Sequence, residues 1–92
     1  MTNKKNSVKI QTYKEIEDEL KKDVAYHQVT YHEHKGVKEQ DTYITTQLLK
    51  VVRMVYNAHN STMQWVEFED GNEERITIQT HDIQNVKGVN IQ

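Results

Sequence analysis

From Val24 to the end of the chain, strand-forming residues run almost without a break, and no other feature limits the fold as much. VAYHQVTYHEH mixes Val, Tyr and Thr with His, and Lys35-Gly36 offers a turn after it. TYITTQLLKVVRMVYNAH is richer still in Thr, Val, Ile and Tyr. Leu48, Val51, Val52 and Val55 have near-helical spacing, which leaves a helix over 43–56 as the alternative. The β-branched content favours one long, bent strand, or two joined by a bulge, because such side chains pack on a pleat and lose rotamers in a helix.

The carboxyl-terminal third alternates more plainly. Asn57–Ser61 is a turn cluster, and in MQWVEFE the pair Val66 and Phe68 shares the face opposite Trp65. Asp70-Gly71-Asn72 is a hairpin signal, after which Glu73 and Glu74 begin a return strand with Ile76 and Ile78 facing inward. Asp82 and Ile83 mark a short turn or one 3₁₀ step. Val86, Val89 and Ile91 form a last strand, with Gly88 at a bend.

Only TYKEIEDELKKD reads as helix. Thr12 and Glu15 have capping-box spacing, and Tyr13, Ile16 and Leu20 share one face, with Val24 a fourth candidate. Early acids and late lysines suit the helix dipole. The helix is expected at about 12–23, too short to stand alone, so its stripe must pack on the sheet. Residues 1–11 read as a flexible tail, with Val8 and Ile10 as a short extended lead-in, and 12–92 as one domain. The expected architecture is mainly β: an amino-terminal helix, then a small antiparallel SH3/Sm-like barrel of four to five strands.

Composition closes several routes to function. Without cysteine there is no disulfide, thiolate nucleophile or cysteine zinc site. No apolar run approaches the roughly 20 residues of a membrane span, and no secretion signal is evident, so a cytoplasmic location is the default expectation. The net charge of −2 neither demands nor excludes nucleic acid. No phosphate loop, nucleophile elbow or calcium loop is present, and the expectation is a protein without catalytic activity and without a cofactor.

Three constellations could carry chemistry. His32 and His34 share a strand face and are weak metal candidates, needing further ligands from His59, His81 or Glu33, while His27 has the opposite parity. Solvent-facing strand histidines are the plainer reading. Glu67 and Glu69 share a face, as a paired acid site would, but with Asp70, Glu73 and Glu74 they also describe a solvated hairpin tip. Lys50 and Arg53 near Tyr56, with Lys35 and Lys38, are the nucleic-acid candidates, set against an acidic hairpin and a sparse basic footprint. Trp65, facing away from Val66 and Phe68, is expected to meet the helix face of Tyr13, Ile16 and Leu20, or to anchor a protein partner there.

VEFEDGNEERITIQTHDIQNVKGVNI, residues 66–91, resembles small Sm-like proteins of Gram-positive bacteria and their phages, the YolD-like family in particular. The likeness extends in outline over residues 12–91: a short helix, a strand-turn-strand as in VTYHEHKG, longer barrel strands, and Asp82, Ile83 and Val86 at the close. It implies a non-catalytic accessory protein, in some cases linked with error-prone repair polymerases, and offers no catalytic residues to carry over. The leading expectation is a protein-interaction or adapter module, its partner unknown or a second copy in a homodimer. A nucleic-acid-binding regulator or DNA-repair accessory protein is the alternative, and a metal-dependent enzyme a distant third.

Overall fold

The computed structural model describes residues 10–34 and 42–90. Helix α1 spans Tyr13–Leu20. Thr12 caps it with a complete capping box: the Glu15 N–H donates to Thr12 Oγ1 at 3.2 Å, and the Thr12 N–H donates to Glu15 Oε1 at 2.8 Å. It ends before the expected 23 because the chain tightens. Lys22 N–H reaches back only three residues to the Glu19 carbonyl, and Val24 N–H closes a still shorter turn onto Lys22.

Five strands follow: β1 Tyr26–His34, β2 Thr42–Tyr56, β3 Met63–Glu69, β4 Arg75–Gln79 and β5 Ile83–Val89, with one 3₁₀ turn, Thr80–Asp82, between the last two. The segment 43–56 is strand. Its first half pairs with β1 (His27 opposite Leu49, His34 opposite Thr42) and its second half with β3 (Lys50 opposite Glu69, Met54 opposite Val66). Register shifts between Val51 and Arg53 and between Val55 and Tyr56 bend it, so one strand serves two halves of the sheet. The β3–β4 hairpin turns at Asp70–Glu74, where Asp70 Oδ1 accepts the N–H groups of Asn72 and Glu74. The left-handed residue there is Glu73 (φ 64°), not Gly71, so the return strand begins at Arg75 rather than at Glu73.

The expected SH3/Sm-like barrel is not formed. The strand order is β4-β3-β2-β1-β5, with β4 and β5 at opposite edges and no ladder between them. The reason is arithmetical. Every neighbouring pair is antiparallel, so five strands leave both edge strands running in the same direction, and closure would need a parallel ladder. Parallel neighbours require a crossover of about a dozen residues or more, whereas Thr80–Asp82 supplies three. The sheet therefore curls without closing.

Its inner face carries the core. Val29, Leu49, Val66, Phe68 and Val86 are buried almost completely, as the period-two reading of Val66 and Phe68 required. Ile16 and Leu20 join that cluster from α1, which packs against β5. Burying two such side chains contributes roughly 1.5–3 kcal/mol each, which holds a helix too short to persist alone. Gly88 permits the approach: a Cβ there would lie 3.2 Å from Val24 Cγ2. Among the described residues no helix is long and apolar enough to cross a membrane.

Candidate protein-interaction surface

The four residues expected to form an interaction face are divided by the fold. Ile16 and Leu20 are core residues, each 3% exposed, and Ile16 reaches only the floor of an open groove of about 590 Å³. Trp65 and Tyr13 line that groove with Ile10 and Met63. Trp65 is half-buried on the face opposite Val66 and Phe68, as its parity indicated, and shares the groove with Tyr13 and Ile16 but not with Leu20. The Tyr13 hydroxyl accepts the Met63 N–H and so joins α1 to β3.

A second set of exposed apolar residues lies elsewhere. Of the seven large hydrophobic residues left exposed among the described residues, five belong to β2: Tyr43, Ile44, Leu48, Val52 and Tyr56. Ile44 (63% exposed) and Leu48 stand on the outer face with Thr46, and Val52 follows at the bulge. Their cross-strand neighbours on β1 are His32, Thr30 and Gln28, with Thr30 and Thr46 joined through their hydroxyls at 3.0 Å. On the inner face of the same half-strand Thr45 and Gln47 are polar, ahead of the buried Leu49. Thr45 donates to Glu33 at 2.8 Å, and Gln47 donates to the Tyr31 hydroxyl at 2.6 Å. Burial raises the Tyr31 phenol above its ordinary value. Apolar residues facing out over polar ones facing in reverse the usual order of a sheet with one wet face.

Of the nucleic-acid candidates, Arg53 and Tyr56 are held by carboxylates. Arg53 donates to Glu67 at 2.9 Å, and Arg75 approaches the same carboxylate at 3.8 Å. The Arg53 bond holds the Glu67 carboxyl below the usual carboxylate range. Lys50 is exposed opposite Glu69. The Tyr56 hydroxyl donates to Glu17 at 2.6 Å, which pushes the phenol up to about 12 and draws the Glu17 carboxyl down. Lys35 and Lys38 lie outside the described residues.

The histidines also separate. His27 is not solvent-facing: it is 2% exposed, its Nε2–H donates to the Glu19 carbonyl at 2.7 Å, and its Nδ1 is buried without a partner. His32 meets Gln84 at 3.2 Å, and His34 sits between Thr42 and Asp82, 3.1 Å from each. His81 approaches the same Asp82 at 3.6 Å. Among the described residues no group of three or more His, Cys, Asp or Glu side chains could hold a metal ion.

Sequence reasoning missed Ile44, Leu48 and Val52 as a surface, and missed the buried Glu17 and half-buried Glu19 as ties. Glu17 sits inside the stripe Tyr13-Ile16-Leu20 at helical spacing, a legible sign that an acid there must find a partner. Glu19 Oε2 accepts the Gly88 N–H at 2.8 Å, chiefly by which its carboxyl is held below the ordinary value. No family model, no curated protein and no solved structure matches this chain.

Proposed function

We propose that this protein is a non-catalytic protein-interaction module whose docking surface is the outer face of β2. The supporting observation is the exposure of Ile44, Leu48 and Val52 along that strand, with the polar Thr45 and Gln47 on the inner face beneath its first half. Single scattered hydrophobics need no explanation, but three spaced along one strand, interrupted only by Thr46 and Lys50, call for one. Lys50 stands exposed within the row, so the partner fitted to it presents apolar side chains with an acid beside them. The pairing of Arg53 and Tyr56 with carboxylates favours this reading over a nucleic-acid surface.

The test is comparative capture. Native chain and a double variant, Ile44→Ser with Leu48→Ser, are immobilised and exposed to the same lysate of the source cell. Both positions are exposed, so each substitution changes stability by no more than about 0.5 kcal/mol. The expected outcome is a protein retained by the native chain and lost from the folded variant. Identical retained sets on both would overturn the proposal.

A further inference from the structure

The two edges of the sheet are not equivalent. Along β5 the chain covers its own edge: Val86 N–H donates to Gln11 Oε1 at 2.7 Å, Gly88 N–H to Glu19 Oε2 at 2.8 Å, and Gln84 carbonyl accepts the Gln11 N–H at 3.0 Å. Along β4, Arg75–Gln79, the main chain pairs with β3 on one side and, among the described residues, with nothing on the other. A cleft of about 400 Å³ lies beside it, lined by β4 together with Tyr31 and His34 of β1. β4 is short and has the charged Arg75 at its start, but within it there is no lysine, proline or bulge to block pairing.

We propose that β4 is a self-pairing edge, and that two copies of this chain join β4 to β4 about a twofold axis at Thr77. An axis there is the one register that pairs all five residues and keeps faces matched, since a one-residue slip would set inward residues against outward ones. It places Ile76 opposite the second copy's Ile78, Arg75 opposite its Gln79, and Thr77 opposite Thr77. No like charges meet. The row through the axis is balanced on each side, since Glu67, across from Thr77, is already bonded to Arg53. The two Glu67 carboxylates would stand three strand spacings apart, about 14 Å, beyond the Debye length at physiological salt. Because β5 is covered, pairing stops at two copies instead of growing into a fibre. Five residues a side bury less than the roughly 1,200 Å² of a standard interface, so the dimer is weak. It forms near about 0.1 mM and exchanges freely.

Sedimentation velocity on the intact chain from 10 µM to about 1 mM tests this, with Thr77→Lys and Thr77→Val in parallel. The native chain and Thr77→Val are expected to dimerise. Thr77→Lys sets two cations against each other at the axis and should weaken association about fivefold or more, with partial recovery in high salt. Amide exchange gives a second readout on the unmodified chain, with protection at Arg75–Gln79 rising with concentration. A native chain that stays monomeric at about 1 mM overturns the proposal. So does a dimer indifferent to Thr77→Lys, or one whose β4 amides gain no protection. Failure here leaves the β2 surface untouched, since Ile44 and Leu48 take no part in this pairing.

Discussion

The β5 and β4 edges present the same chemistry, a row of outward N–H and C=O groups, and the protein treats them oppositely. At β5 the covering groups come from the other end of the chain: Gln11 just before the helix cap, and Glu19 in its last turn. Residue 11, which reads as the end of a flexible tail, is thus tied to β5 by both its backbone and its side chain. At β4 the neighbouring space is a cleft. The difference teaches that α1 does more than lid the core. Its polar residues finish one edge of the sheet, and the failure of the sheet to close leaves the other edge available.

The largest effect is expected where the covering group is charged. Glu19→Ala removes the acceptor of the Gly88 N–H in a partly buried place, and should lower stability by about 2 kcal/mol in urea denaturation at pH 7. The pH dependence carries a sign. The Glu19 carboxyl lies below its ordinary 4.5 in the folded protein, chiefly through the Gly88 N–H and with help from Lys22. Its contribution is therefore complete above 4.5 and is lost as pH falls through the lowered folded value. The gap between native chain and variant should narrow in acid. A gap that stays constant down to about pH 2 would mean that the carboxylate is not what covers this edge.

A neutral covering group should matter less. Gln11→Ala takes away the acceptor of the Val86 N–H but leaves the backbone bond to Gln84, so about 1 kcal/mol is expected. Amide exchange at Val86 should quicken with it. If Gln11→Ala cost nothing and Val86 exchanged at its native rate, the cover over β5 would reduce to Glu19 alone.

What the sequence made legible was local. Val66, Phe68 and Ile78 are inward by simple alternation, and Thr12 with Glu15 announces the helix start. Closure was not legible, because whether edge strands run alike depends on strand order, which spacing does not carry. Glu17 and Glu19 read as acids placed for the helix dipole, yet their partners Tyr56 and Gly88 lie 39 and 69 residues away. The β2 surface was half visible. Leu48 and Val52 alternate with the inward Leu49 and Val51, so both faces of that stretch are apolar, and one short helix could cover at most one of them. That two-sided pattern read as an ambiguity between strand and helix when it marked an uncovered face.

The smallest effect is expected at β4, and its smallness is the point. Thr77 is exposed, and no side-chain hydrogen bond fixes it among the described residues. If the edge is bare in the single chain, Thr77→Ala has only a modest loss of strand propensity to register, about 0.5 kcal/mol or less in dilute denaturation. The Thr–Thr pair across the twofold axis exists only in the dimer, so the same substitution should weaken association while leaving the monomer nearly unchanged. Dilution separates the two. A loss well above 1 kcal/mol at low micromolar concentration would show that β4 is already engaged within one chain, and the contrast between the edges would then collapse.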